Sequence, residues 1–310
     1  MLVLSEVEIE DTLLNEDIDI KLINKETVQE YDGNIEVKVI LCSRATAVVV
    51  SNMNFPSLSL VNLTSAGYDG VPIKKFRDKG VLVANVGSIY SIPIAETVVF
   101  GILQMAKKFR CNPNNRFVRL TRGYDNYITE LSGKKAIILG TGSIGTEVAK
   151  RLVGFDVEIF GFAKRTREKS PFIRIVNTIH ELKEELPKCD YVISTLPDND
   201  DTKQLINKDL ISYMNSECIF INVGRKAVID QIALFSALKR KEIGGAVLDI
   251  FEKVPNPITN IFRRLCNVIV FPGVAAISKE TKIRLQNHLA YNLNCIKLGE
   301  RPVCIINSED

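Results

Sequence analysis

Ala136-Ile137-Ile138-Leu139-Gly140-Thr141-Gly142-Ser143-Ile144-Gly145-Thr146-Glu147-Val148-Ala149-Lys150 decides the fold. A short apolar run of the kind that forms a buried strand ends in Gly-x-Gly-x-x-Gly, and a helix-forming stretch follows at once. That order is the dinucleotide-binding fingerprint in its required context. Gly140 makes the sharp turn, Gly142 lets backbone approach a pyrophosphate, and Gly145 lets the helix pack against the strand. The helix start then offers unpaired N–H groups and the positive end of its dipole to an anion. Without the flanking strand and helix the motif is weak, because glycine-rich turns are common.

From Gly133 onward apolar runs alternate with helical stretches. Strands are expected near Ala136–Leu139, Val157–Phe162, Tyr191–Ser194, Ile219–Val223, Ala246–Asp249 and Val268–Phe271. This alternation predicts a doubly wound parallel sheet. Upstream, Ile35–Cys42, Ala47–Val50, Leu58–Leu63 and Val81–Ala84 read as strands. A helix is expected from Ile94 to Phe109, after Pro93. The polar stretch Cys111–Glu130 reads as an arm or subunit contact. A last helix runs from about Lys279 to Leu298. The fold class is therefore α/β, with two Rossmann-like domains. The first, flavodoxin-like, comprises 1–93 plus 276–310, and the second, dinucleotide-binding, comprises 94–275. A chain of 310 residues suits two such cores.

Composition narrows the function. The net charge of +3 has no dense Lys/Arg block behind it, which argues against a nucleic-acid partner. Seven scattered cysteines without a Cys-x-x-Cys pair fit a reducing compartment rather than a disulfide framework. His180 and His288 lie far apart, so no metal site is expected. The early acidic residues Glu6 and Glu8 do not suit a signal peptide, and no apolar run has membrane-spanning length. A cytoplasmic protein without a membrane partner is the expectation.

Several motifs recur in a fixed order: Thr64-Ser65-Ala66-Gly67-Tyr68-Asp69-Gly70, Asn85-Val86-Gly87, Ile94-Ala95-Glu96-Thr97, the glycine fingerprint, Ser194-Thr195-Leu196-Pro197 with Thr202, Asn222-Val223-Gly224-Arg225, and Gly245-Ala246-Val247-Leu248-Asp249-Ile250-Phe251-Glu252. Together they resemble the D-isomer-specific 2-hydroxyacid dehydrogenases. The resemblance covers most of the chain and is weakest over the first forty or so residues. It implies hydride exchange between a nicotinamide and a small 2-keto or 2-hydroxy acid, and a homodimer.

The same resemblance assigns site residues. Gly140, Thr141, Gly142, Ser143, Ile144 and Gly145 hold the pyrophosphate. Thr195, Leu196 and Pro197 line the adenosine side with Thr202 nearby, and Val223, Gly224, Arg225 and Asp249 approach the nicotinamide end. Ser65, Ala66 and Gly67 hold the substrate carboxylate through backbone amides. Arg225 matches the family's catalytic arginine, a planar fork suited to a carboxylate.

Two family positions are not matched. The histidine expected after the last strand is Gly273 in Phe271-Pro272-Gly273-Val274. The glutamate expected before Pro255 is Val254, and Glu252 stands two positions early. His180 and His288 read as helix-face residues. The acid–base pair is thus absent together, which points to impaired or altered proton transfer. Lys226, Tyr90 and Tyr68 are candidates for a substitute donor, against the plainer reading of a solvated lysine and packed tyrosines. The alternative function is a catalytically inactive dinucleotide-binding sensor or partner protein of the same fold. A third is a different reaction on the same scaffold.

Cofactor choice turns on the end of the second strand. An NAD-binding chain usually carries an acid there. Here Ala163 is followed by Lys164 and Arg165, cations that attract a 2′-phosphate. NADP is the expected cofactor, with NAD possible.

Overall fold

Strand β6 (Lys135–Leu139) is the axis of the larger sheet in this computed structural model, which describes residues 1–108, 128–164, 171–249 and 261–307. The chain divides into two units, Met1–Tyr90 with Ile277–Asp310, and Ser91–Ala276.

In the second unit, β6 pairs with β7 (Glu158–Phe162) on one side and β9 (Tyr191–Ser194) on the other. The sheet continues outward through β8 (Arg174–Val176) beyond β7. Beyond β9 it continues through β10 (Ile219–Asn222), β11 (Gly245–Leu248) and β12 (Val268–Val270). All these pairings are parallel. Strands β9, β10 and β11 are buried at every position, which is why they read as near-continuous apolar runs, with polar Ser194 and Asn222 only at the ends of β9 and β10. Strand order reverses at β6, so the carboxyl end of that strand is the topological switch point where such sheets bind ligands.

Helix α3 (Ser91–Ala106) packs close to this sheet: a Cβ on Gly101 would stand 2.6 Å from Val247 Cγ1. The helix begins at Ser91, earlier than expected, and takes Pro93 into its first turn, where a missing N–H costs nothing. Helices α4 (Ser143–Val153), α5 (Ile179–Glu185), α6 (Lys208–Ile211) and α7 (Gln231–Arg240) connect the strands.

The first unit holds a five-stranded sheet of order β2-β1-β3-β4-β5, the flavodoxin-like order. Its strands are β1 (Leu2–Ser5), β2 (Asp19–Leu22), β3 (Val37–Cys42), β4 (Leu60–Leu63) and β5 (Leu82–Ala84). The segment Ala47–Val50, expected as a strand, lies in helix α1 (Arg44–Val50). Ser43 caps that helix by accepting the Thr46 N–H, and Thr46, Ala47 and Val50 are buried along one face. Local capping and burial outweigh the strand preference of three successive valines. A short helix α2 (Ile73–Asp78) precedes β5. The last helix, α8 (Lys279–Leu298), sends Leu289, Ala290 and Leu293 into a core with Val3, Val39, Leu41 and Leu60. Most of the stretch Cys111–Glu130, expected as an arm, lies outside the described residues.

Candidate active site

The glycine turn joins β6 to α4. Gly140 adopts φ +100°, a conformation that L side chains rarely enter, and a Cβ there would meet Thr195 Oγ1 at 2.7 Å. Its N–H donates to the Phe162 carbonyl at 2.9 Å. Gly142 is the N-cap of α4, exposed, with nothing within 4 Å of where its Cβ would stand. Gly145 is the reverse case: a Cβ would lie 2.1 Å from the Gly140 carbonyl oxygen and 3.1 Å from Ile138 Cγ2.

The helix start has no side-chain cap. Ser43, Thr178, Asn207, Asp230 and Ser278 cap α1, α5, α6, α7 and α8 with side-chain oxygens. At α4 the N–H groups of Ser143 and Ile144 lack such a partner, beside an open glycine. An anion binds well at such a position.

The neighbouring strand ends shape the surroundings. Thr195 N donates to Leu139 O at 2.9 Å, and Thr195 Oγ1 donates to Gly140 O at 2.9 Å, tying the β9 loop to the glycine turn. Gly224 lies against that loop, where a Cβ would meet Leu196 O at 2.7 Å. Val223 is buried, and its N–H donates to Ser194 O. Thr202 is also buried; its hydroxyl donates to Pro197 O at 2.6 Å and so closes the 197–202 turn. Its visible role is structural.

At the end of β7, Ala163 is held at both backbone polar groups: its N–H donates to Val176 O at 3.2 Å, and its carbonyl accepts Asn177 Nδ2 at 2.6 Å. The Lys164 ammonium pairs with the Asp201 carboxylate. Arg165 lies outside the described residues.

Arg225 and Lys226 follow β10 and are half-buried. Arg225 Nη1 donates to Gly224 O at 3.2 Å, and Lys226 opens a 3-10 turn that ends at Val228. Asp249, at the end of β11, is buried. Its Oδ1 accepts the N–H groups of Val274 and Ala275 at 3.0 and 3.2 Å, and its carbonyl accepts Gly273 N–H at 2.9 Å. Burial raises its carboxyl above the ordinary range, and the backbone donors oppose that rise. Asp249 thus fixes the loop in which the resemblance places a histidine. Gly273 has φ +72° there, with open space where a Cβ would point. Val254 lies outside the described residues.

The remaining predicted residues, His180 apart, belong to the first unit. Ser65 Oγ donates to Gly67 O at 2.7 Å, so the hydroxyl shapes its own loop. Ala66 O accepts Asn85 Nδ2 at 2.7 Å, and Thr64 O accepts Tyr90 OH at 2.7 Å. Burial raises the Tyr90 phenol above its ordinary value, so it stays protonated and donating. Tyr68 is exposed. His288, on α8, approaches Asn85 O with Nε2 at 2.9 Å; His180, on α5, is exposed beside Glu184. Both histidines are helix residues, as expected. Asn85 stands in a motif that carried no role for it, and Asp201 stands in none. The only signal for Asp201 was the turn-forming Asp198-Asn199-Asp200-Asp201 run.

No helix among the described residues is long and apolar enough to cross a membrane.

A family model described as the NAD binding domain of D-isomer specific 2-hydroxyacid dehydrogenases matches residues 101–275. A glyoxylate reductase of Korarchaeum cryptofilum is 31% identical over 265 residues, covering 82% of this chain and 77% of that protein. A glyoxylate reductase structure from Paecilomyes thermophila superposes with TM-score 0.83 at 19% identity, covering 100% of this chain and 99% of the other. The structure of an NADPH-dependent glyoxylate/hydroxypyruvate reductase from Sinorhizobium meliloti, in complex with citrate, superposes with TM-score 0.78 at 25% identity. It covers 98% of this chain and 96% of that one.

Proposed function

The chain belongs to the D-isomer specific 2-hydroxyacid dehydrogenase family, and on that premise we propose that it reduces a small 2-keto acid such as glyoxylate or hydroxypyruvate with NADPH. The observation that carries the cofactor half is the α4 N-terminus, uncapped by any side chain and opening on Gly142. The substrate half rests on Arg225 and on the activities of the relatives.

The residues present fit a dinucleotide. Gly142, Ser143 and Ile144 would receive the pyrophosphate, since the space beside Gly142 is free and the helix dipole favours an anion. Thr195, Leu196 and Pro197 would line the adenosine side, and Val223, Gly224 and Asp249 the nicotinamide end. Lys164 and Arg165 favour a 2′-phosphate, in keeping with the NADPH dependence of the Sinorhizobium enzyme. The nicotinamide, when bound, supplies the hydride.

The chain's own residues supply the rest. The Arg225 guanidinium holds the substrate carboxylate in its planar fork and draws electron density from the ketone. In the first unit, the backbone amides of Ser65, Ala66 and Gly67 are the groups that the family resemblance assigns to a substrate carboxylate. The reduced carbon's oxygen needs one proton, and Gly273 and Val254 cannot give it. Lys226 is the substitute donor we favour, being adjacent to Arg225 in sequence. Tyr90 is less suited, because its hydroxyl is committed to Thr64 O. We further propose a homodimer, the usual assembly of the family.

Gly273 favours a second reading, in which the chain binds dinucleotide and a carboxylate without turnover. One experiment separates the two: NADPH oxidation against glyoxylate, hydroxypyruvate and pyruvate, with Arg225→Ala in parallel. Turnover abolished by the substitution supports the reductase. NADPH binding without turnover supports the second reading, and absence of binding overturns both.

A further inference from the structure

We propose that Asp201 supplies, from the loop after β9, the carboxylate that the sequence lacks at Ala163, and that its pairing with Lys164 sets how strongly the chain prefers NADPH over NADH. The proposal rests on the dinucleotide reading above and deepens it.

Topology places the two side chains. Lys164 follows β7 and Asp201 follows β9, the two strands that flank β6. Their ion pair therefore links the loops on either side of the switch point. Both backbones are fixed. Ala163 is held by Val176 O and Asn177 Nδ2. The 197–202 turn is closed by Thr202 Oγ1 on Pro197 O, and Asn199 Oδ1 accepts the N–H groups of Asp201 and Thr202, each at 3.1 Å. The charged tips, by contrast, are free to move: the side chains are 72% and 58% exposed. An exposed pair of this kind adds little stability, so a ligand separates it readily.

The chemistry of the two cofactors then diverges. A ribose diol presents hydroxyl donors, and a carboxylate accepts them as an acid at the strand end does. A 2′-phosphate is an anion. It takes Lys164 for itself and is repelled by Asp201. The same pair thus serves either cofactor, with Asp201 favouring the diol and Lys164 the phosphate. Removing the Asp201 charge releases Lys164 to the phosphate and deprives the diol of its acceptor.

The test is direct binding, read from the fluorescence of the reduced nicotinamide at low ionic strength. NADPH and NADH are titrated into the full chain, Asp201→Asn and Lys164→Gln. Asp201→Asn is expected to tighten NADPH and weaken NADH, raising the ratio of affinities about tenfold. Lys164→Gln is expected to weaken NADPH and leave NADH nearly unchanged. Thermal unfolding should be unaltered in both, because the pair is exposed. A ratio unchanged by Asp201→Asn, in a chain that binds both cofactors, overturns the role of Asp201 alone. A wild-type chain that binds neither overturns the cofactor reading and this role with it.

Discussion

Gly145 stands so close to Gly140 that a single added Cβ would lie 2.1 Å from the Gly140 carbonyl oxygen. Gly142, three residues before it, has nothing within 4 Å. The two glycines therefore serve different ends, one the packing of helix on strand and the other access for a ligand. Gly145→Ala is expected to destabilise the chain by about 1–3 kcal/mol, as overpacking does. The melting temperature should fall roughly 2–4 °C for each kcal/mol. Gly142→Ala should melt like wild type yet bind NADPH more weakly. Equal melting temperatures for both variants would remove the distinction.

Gly273 invites restoration. It has room for a side chain, at a left-handed φ that histidine tolerates better than most residues. Gly273→His combined with Val254→Glu returns the donor and its carboxylate. Proton transfer of this kind is worth ~10²–10⁴-fold, so the double variant should raise kcat for glyoxylate at least tenfold if that step limits turnover. The gain should exceed the sum of the two single variants. An unchanged kcat in a folded double variant would show that Gly273 is not the donor position.

Asp249 predicts a pH dependence of stability. Burial raises its carboxyl above the unfolded value, so the folded chain takes up its proton more readily than the unfolded one. The resulting stabilisation is fully present below the unfolded pKa, about 3.9, and is lost as pH rises through the folded value. Asp249→Asn keeps an oxygen to accept Val274 and Ala275 N–H but does not titrate. Urea unfolding at neutral and mildly acidic pH should show wild type gaining on the variant as pH falls. A constant difference between the two would count against this assignment.

Asn292 and Asn62 form a buried pair in the first unit. Asn292 Nδ2 donates to Asn62 Oδ1 at 2.6 Å, and Asn292 Oδ1 accepts Val303 N–H at 2.9 Å. Both side chains are fully buried. Asn292→Leu fills similar volume but orphans both partners, each worth roughly 1–3 kcal/mol. Asn62→Ala and Asn292→Ala together should cost less than the sum of the single variants. Strict additivity, measured by denaturant unfolding, would show that the pair is not coupled.

The larger sheet was legible because its inner strands β9, β10 and β11 are buried on both faces, and an apolar run such as Ile219–Ile221 announces itself. Edge strands hide. In β2, Asp19 and Lys21 are exposed, and β8 is three residues long with Arg174 at its start. Helix α1 was misread because its valines favour strands, while its cap and buried face emerge only in the folded chain. In the site, the glycine turn could be read locally, since every contact it needs lies within a few residues or at the next strand. The Lys164–Asp201 pair could not, because only the sheet order brings the two loops together. Asn85 was quoted as part of a motif, but its hold on Ala66 is a tertiary fact.

The first unit is assembled from both ends of the described chain, and this bears on its synthesis. Residues Ser91–Ala276 form one unit from a continuous stretch, so a growing chain can complete it while still attached to the ribosome. The earlier strands must wait. Val3, Val39 and Leu60 are left without Leu289 and Leu293 until α8 emerges, and β5 meets its bridge partner only when Ile305 arrives. During that interval the amino-terminal sheet presents an uncovered apolar face. A chaperone, or a chain released before residue 279, would encounter a finished nucleotide unit tethered to an unfinished partner.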